Sequence, residues 1–198
     1  MQNVHTSTSA RLRWRTRELL TAVVIALAFA VLLVPFTFAY AAILSLGIFA
    51  RSAMTGLFFL PSAFAAYVLR KAGAVLLVSA LSGLAATPFT GYGPLVLLIG
   101  LLTGAIGELS TWLVTRYRKF DWPHFLAMGA LSGTVEFVLV LFSLRISEVN
   151  FAAVALATGL STAAFVVMSI VGRSLAEAVK RTGVLANTAL GQETIQDV

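Results

Sequence analysis

The sequence predicts an all-α integral membrane protein in which six transmembrane helices leave both termini in the cytoplasm. Three observations indicate this class. Of the 198 residues, 59% are hydrophobic and only 11% are charged, against about 25% charged in an average soluble domain. The apolar residues form several runs close to the roughly 20 residues that a helix needs to cross a bilayer. The basic residues, finally, recur in clusters between these runs.

The positions of the basic residues indicate how the helices are oriented. All but two of the 14 Lys and Arg residues lie in four clusters, at Arg11–Arg17, Arg70–Lys71, Arg116–Lys119 and Arg173–Arg181. They fall before the first predicted helix and after the second, fourth and sixth, as expected if the cytoplasmic segments carry the positive charge. The net charge of +6 is therefore interpreted as a topology signal and not as evidence for a nucleic-acid partner.

Three segments follow from this pattern: a cytoplasmic basic N-terminal segment at 1–18, a six-helix transmembrane domain at 19–172 and a cytoplasmic tail at 173–198. Four arginines precede the first apolar run and no small-residue cleavage site follows it. We interpret this run as a retained helix rather than a signal peptide. The tail is expected to begin as an amphipathic extension and to become polar and disordered from about residue 182.

Helix 1 is predicted at 19–39, and small residues recur along it at every fourth position, at Ala22, Ala26 and Ala30. Such a stripe lets another helix approach closely, either within this chain or in a partner. The apolar stretch 40–52 contains Gly47 and Arg51 and is predicted as an outer loop or a short interfacial helix.

Two shorter helices and a bend come next. Helix 2 is predicted at 53–69 with Pro61 inside it, and helix 3 at 72–86. The bend at 87–94 is rich in turn-forming residues and carries no charge, so it is either a lid on the outer side or a tight helix hairpin.

Helix 4, at 94–115, carries two glycines, a carboxylate and an indole on one face, at Gly100, Gly104, Glu108 and Trp112. This face is expected to pack closely at one end and to offer chemistry at the other.

Helices 5 and 6 are predicted at 123–144 and 151–172, and helix 5 places Gly129 and Gly133 beside Glu136. Of the eight acidic residues, only Glu108 and Glu136 fall well inside predicted spans, and no basic residue is predicted within a span to neutralise them. They are therefore protonated, hydrogen-bonded to Ser and Thr neighbours, or paired with a cation from outside. The chain direction places Glu108 nearer the cytoplasmic half and Glu136 nearer the outer half.

Aromatic residues near these acids suggest a site for a small, flat solute, which could be cationic. The alternatives are a structural role for the acids and a membrane-interface role for the aromatics. The candidate substrate-binding residues are Glu136, Glu108, Tyr92, Trp112, Tyr40, Phe38 and Thr90.

Catalysis finds no support in the sequence. His5 lies in the polar start of the chain and His124 at the cytoplasmic start of helix 5, so no metal pair or serine–histidine arrangement is apparent inside the spans. There is also no phosphate-binding loop of the GxxxxGK[ST] type. We expect no enzyme activity, no metal and no cofactor in this chain, so any ATP hydrolysis would reside in partner subunits.

Three stretches resemble the YkoE-type family, the substrate-binding S components of energy-coupling factor (ECF) transporters associated with thiamine or hydroxymethylpyrimidine. They are Gly56–Ala74 with its Leu-Pro and Ala-Tyr-Val-Leu-Arg-Lys sequences, Gly104–Leu109 and Arg116–Lys119. The resemblance covers about helices 1 to 5. It implies six helices, a ligand pocket under outer loops, and a complex with a transmembrane coupling subunit and ATPase subunits. It also implies that Ala22, Ala26 and Ala30 dock on the coupling subunit.

The function expected from these features is capture of a thiamine-related pyrimidine by the membrane subunit of an ATP-driven vitamin importer in a prokaryotic cell membrane. Two alternatives remain open. A self-sufficient secondary carrier would use the buried acids to relay protons. A structural assembly protein would use its glycine and alanine faces only for helix packing.

Overall fold

The computed structural model describes residues 14–143, 150–183, 185, 188 and 190. Within these residues the chain forms helices and turns and no strand, which confirms the predicted all-α class. Residues 1–13 of the predicted N-terminal segment lie outside the described residues. The described helices are α1 Thr16–Ile43, α2 Ile48–Thr55, α3 Leu60–Leu69, α4 Ala74–Ala86, α5 Pro94–Thr115, α6 Trp122–Ser143 and α7 Phe151–Arg181.

Four segments in the described ranges are long and apolar enough to cross a membrane, namely Thr16–Ile43, Ile48–Leu69, Pro94–Thr115 and Phe151–Arg181. They agree with a multi-pass membrane protein. The count of six transmembrane helices and the cytoplasmic location of the termini stay predictions.

The prediction of one helix at 53–69 is wrong. The chain forms α2, a 3-10 turn at Gly56–Phe59 and then α3, so the helical path begins earlier and breaks near its middle. Pro61 lies in the first turn of α3, where a missing backbone donor costs nothing. The proline therefore starts a helix instead of bending one.

The predicted close packing of helix 4 is confirmed at the contact between α4 and α5. A Cβ atom added at Gly100 would lie 2.6 Å from the carbonyl oxygen of Ser79, and one at Gly104 would lie 3.2 Å from Cα of Leu76. Glycine thus allows the two backbones to come into contact. The bend at 87–94 is a compact hairpin that joins these two helices.

The alanine stripe of α1 faces the inside of the protein. Ala22, Ala26 and Ala30 are 0%, 1% and 6% exposed and belong to the buried core clusters. In this structure they present no surface to a partner, and the docking role implied for them stays a prediction. The stripe packs within the chain, which is one of the two interpretations that the sequence left open.

The last helix is longer than predicted, and two residues after it are buried in the core. Helix α7 continues without a break from Phe151 to Arg181, past the predicted end at 172. Beyond it, Leu185 and Leu190 are 4% and 0% exposed and join the same core cluster as Ala22. The predicted disorder from residue 182 is therefore wrong for these two leucines, while most of 184–198 lies outside the described residues.

A cluster of aromatic rings and arginine stabilises the end of the bundle that holds the basic residues, here called the basic end. The Arg173 guanidinium lies 4.2 Å from the Trp122 ring centroid and 4.9 Å from that of Tyr67. It also donates to the carbonyl of Phe120 at 2.9 Å, and the Tyr67 hydroxyl donates to Glu177. These contacts connect α3, α7 and the turn before α6.

Candidate functional site

A cavity of about 290 Å³ lies at the opposite end of the bundle from the basic end, between α1, α2, α5 and α6. This volume is close to the lower limit of small-molecule pockets, about 300 Å³. Its lining residues are Tyr40, Arg51, Thr55, Phe58, Ile99, Leu102, Thr103, Ile106, Glu136 and Leu139. The lining is thus mostly apolar, with one acid, one base and a few hydroxyl groups.

A second, smaller cavity of about 20 Å³ adjoins the first and shares Arg51, Thr55 and Glu136 with it. It has room for about one water molecule. Its remaining lining residues are Ile48, Ser52, Phe137 and Ser161. The two charged side chains therefore lie between a ligand-sized space and a water-sized one.

Helix α2 positions the base. Gly47 has a φ of 95°, a left-handed value that favours glycine, and it lets the chain leave the end of α1 and begin α2 at Ile48. The Thr55 hydroxyl lies 3.3 Å from that of Ser161, which connects α2 to α7. Arg51 lies on α2 between Gly47 and Thr55, so its position is set from both sides.

Each charged group of the site has one atom without a hydrogen-bond partner. Arg51 Nε and Glu136 Oε2 are both buried and unpartnered in the described part of the chain. A buried polar group without a partner costs about 1 to 3 kcal/mol, and a charged one costs more. Such groups are uncommon in folded proteins, so this pair marks the cavity as a place for a polar partner.

Aromatic rings form one wall of the cavity. The rings of Tyr40 and Phe58 meet edge to face, with centroids 5.5 Å apart and planes at 87°. Tyr92 packs against the same core cluster that contains Phe58. This wall offers an aromatic surface to a flat ring next to the charged pair.

The expectation that no basic residue lies within a span is wrong. Arg51 belongs to Ile48–Leu69, one of the four apolar segments long enough to cross a membrane, and it shares both cavities with Glu136. The sequence did not reveal this, because α2 starts at Ile48, inside the stretch 40–52 that was interpreted as an outer loop or short interfacial helix.

Glu108 is satisfied elsewhere, near the basic end. Its carboxylate accepts hydrogen bonds from the backbone N–H groups of Gly73 at 2.7 Å, Val75 at 3.0 Å and Leu76 at 3.3 Å. These are donors that the first turn of α4 leaves free, and a negative charge is favoured there. Glu108 therefore caps α4 from the neighbouring helix.

The Tyr117 hydroxyl also donates to Glu108. Arg116 and Tyr117 have left-handed φ values of 46° and 55°, which end α5 and turn the chain back. Burial, together with the hydrogen bond and the charge of Glu108, raises the pKa of the Tyr117 phenol above its ordinary value.

The structure brings only part of the predicted site together. Glu136 and Tyr40 line the cavity, and Tyr92 lies beside its aromatic wall. Phe38 and Trp112 are 58% and 54% exposed and do not line it.

Thr90 is buried in the hairpin after α4, where its hydroxyl donates to the carbonyl of Thr87 at 3.4 Å. Neither Thr90 nor Glu108 lines the cavity.

Sequence reasoning missed Arg51, Thr55, Phe58 and Thr103 as site residues. For Arg51 a signal existed, because it is one of two basic residues outside the four basic clusters and it interrupts an apolar stretch. The other three have no mark in the sequence that separates them from ordinary helix residues. Within the described residues, no group of three or more His, Cys, Asp or Glu side chains could hold a metal ion.

Comparison with known proteins identifies the family. The family model described as "ABC-type cobalt transport system, permease component" matches residues 17–135, more than half of the chain. The chain belongs to this family. The putative HMP/thiamine permease protein YkoE of Bacillus subtilis (strain 168) is 28% identical to it over 184 residues, which cover 91% of this chain and 92% of the relative.

A solved structure gives the same result for the fold. The crystal structure of an S-component of an ECF transporter matches this chain with a TM-score of 0.85 and 26% identity, covering 93% of this chain and 95% of that one. The resemblance to YkoE-type S components seen in the sequence is confirmed. The protein is an ECF-type S component, a membrane transport subunit.

Proposed function

We propose that this S component captures a thiamine-related pyrimidine, thiamine itself or hydroxymethylpyrimidine, in the cavity beside Glu136. The observation that carries the proposal is the buried, unpartnered Glu136 carboxylate oxygen in a ligand-sized cavity with an aromatic wall. An aminopyrimidine offers what this arrangement lacks, since its amino group donates hydrogen bonds and its flat ring stacks on aromatic residues. The name of the Bacillus subtilis relative supports the same substrate class.

The proposal includes the assembly in which the protein works. The chain would cross a prokaryotic cell membrane six times with both termini in the cytoplasm. It would take its solute from the outer side and pass it on through a transmembrane coupling subunit driven by ATPase subunits. Two observations support this orientation: the basic clusters gather at one end of the bundle, and the cavity lies at the other.

Thermal unfolding of the detergent-purified chain tests the substrate. Thiamine, hydroxymethylpyrimidine, riboflavin, biotin and Co²⁺ are compared with a blank, Co²⁺ because the family description names cobalt. A ligand at about 100 times its dissociation constant stabilises the fold by about 2.7 kcal/mol. We expect a pyrimidine compound alone to stabilise the protein, and Glu136→Gln to reduce this stabilisation.

Trp112→Phe is the matched control, because Trp112 was a predicted site residue but does not line the cavity. This variant should keep the ligand-induced shift at the wild-type value. Stabilisation by Co²⁺ or by none of the compounds would refute the pyrimidine assignment. A shift lost in Trp112→Phe and kept in Glu136→Gln would place the site elsewhere.

A further inference from the structure

The two unpartnered groups of the cavity are chemically complementary. Arg51 Nε carries a hydrogen that can only be donated, whereas an ionised glutamate oxygen can only accept. Both side chains line both cavities. A ligand that satisfies Glu136 alone would leave the buried Arg51 donor unpaired, and that omission carries its own cost in affinity.

Several polar groups lie near Arg51, and the Tyr40 hydroxyl interacts with its side chain. The Thr55 hydroxyl donates to the carbonyl of Ser52 at 2.9 Å, and the Ser52 hydroxyl donates to the carbonyl of Ile48 at 2.8 Å. The side chains that face the pair across the larger cavity include Ile99, Leu102 and Ile106, which have no acceptor. None of these groups accepts a hydrogen bond from Arg51 Nε, so an acceptor in the cavity would supply its missing partner.

We infer that Arg51 is a specificity-determining residue that donates a hydrogen bond to an oxygen of the ligand, while Glu136 accepts from an amino group on the same molecule. The inference rests on the proposed function and adds to it the class of solute: a flat ring with an amino donor and an oxygen-bearing arm. Hydroxymethylpyrimidine has both groups on one ring, whereas in thiamine the oxygen lies on the hydroxyethyl arm of the thiazolium ring. A pyrimidine with the amino group but without the oxygen has only half of it.

A site built to hydrogen-bond a ligand group discriminates strongly against the analogue that lacks the group, because its own buried partner is then left unpaired. A hydrogen bond to a charged group corresponds to roughly a tenfold difference in affinity or more. The wild-type protein should therefore bind hydroxymethylpyrimidine at least about tenfold more tightly than the methyl analogue, in which hydrogen replaces the hydroxyl group.

The test is a titration of the full chain in detergent with these two compounds, repeated for Arg51→Met, Glu136→Gln and Phe58→Leu. Methionine keeps an unbranched apolar stem and removes the charge and the donors, so this variant no longer has the unpaired Arg51 Nε donor. We expect Arg51→Met to bring the affinity ratio of the two compounds close to one. Glu136→Gln and Phe58→Leu should weaken both compounds and keep the ratio, because both compounds carry the amino group and the ring.

The outcomes separate the inference from the function on which it rests. If the wild-type protein does not distinguish the two compounds, or if Arg51→Met keeps the wild-type ratio, the role of Arg51 is refuted and pyrimidine binding stands. If neither compound binds to the wild-type protein, the proposed function and the role of Arg51 both fail.

Discussion

Glu108 and Glu136 show how the same side chain serves two purposes within one bundle. The Glu108 carboxylate accepts three backbone hydrogen bonds and one from Tyr117, so it stabilises the turn between α3 and α4. Glu136 has an oxygen without a partner and lies in a cavity. An acid buried in a membrane protein is therefore a candidate for ligand binding only after its hydrogen bonds have been examined.

Tyr117 provides a prediction at this scale. Because its phenol has a raised pKa in the folded protein, the unfolded chain loses the proton first as the pH increases. The contribution of Tyr117 to stability is thus complete below pH about 10, the ordinary tyrosine pKa, and is lost progressively above it. Thermal unfolding of the wild type and Tyr117→Phe between neutral and alkaline pH measures this.

The wild type should lose more stability than Tyr117→Phe as the pH passes 10, and ligand binding at neutral pH should be equal in the two proteins. Parallel pH profiles would contradict the role given to the Tyr117–Glu108 hydrogen bond. Comparing the two proteins cancels the titration of lysine residues, which occurs in the same pH range.

At the scale of elements, α1 has two faces with different partners. Its small residues Ala22, Ala26 and Ala30 pack inside the bundle, while large apolar side chains such as Leu20, Val24 and Val31 are exposed. Exposed apolar residues on a membrane-spanning helix are suited to contact with lipid or with another membrane protein.

Ala26→Leu distinguishes internal packing from docking. Ala26 is 1% exposed, so a larger side chain would overfill the core and lower the stability of the isolated chain by about 1 to 3 kcal/mol. Ala28→Leu is the control, because Ala28 lies on the same helix and is exposed. Chemical or thermal unfolding in detergent reads out the difference.

The expected result is a loss of stability in Ala26→Leu and little change in Ala28→Leu. If Ala26→Leu left the isolated chain as stable as the wild type and only abolished assembly with a coupling subunit, the docking role implied by the resemblance would be supported.

At the scale of the whole molecule, the positions of the acids bear on the alternative of a self-sufficient carrier. That alternative used two buried acids as a proton relay. The structure places Glu136 in the cavity and Glu108 near the basic end, with its oxygens bound to backbone donors. Because only one of the two acids lines the cavity, the arrangement accords better with the proposed subunit that depends on partners.

Reconstitution in liposomes tests this dependence. The purified chain alone should give no uptake of radiolabelled thiamine or hydroxymethylpyrimidine above empty vesicles. Uptake should appear when the coupling and ATPase subunits are included with ATP, and not with a non-hydrolysable analogue. Uptake by the chain alone, driven by a proton gradient, would favour the secondary carrier instead.

The sequence predicted best what depends on local pattern. The helix at 94–115 has the predicted bounds, because a proline at its start and a basic cluster at its end mark both limits. The glycine face of that helix also packs as predicted. The break at Gly56–Phe59 was missed, because an apolar stretch of this length reads the same whether its helix is continuous or interrupted.

The site was harder to predict, because it depends on contacts between distant parts of the chain. Glu108 caps a helix that begins more than 30 residues earlier, and Arg51 and Glu136 line the same cavity although more than 80 residues separate them in the chain. No periodic pattern in a single sequence indicates which residues come together at such separations along the chain. The alanine stripe was open to two interpretations for the same reason, since its spacing does not say which helix packs against it.

The short length of α4 has a consequence for how the chain suits a bilayer. With 13 residues at about 1.5 Å each, α4 measures about 20 Å, less than the roughly 30 Å of a hydrocarbon core. Helix α5 is long enough but carries Glu108, whose backbone donors belong to α4. The two helices therefore suit a lipid environment better as a hairpin than either helix does alone.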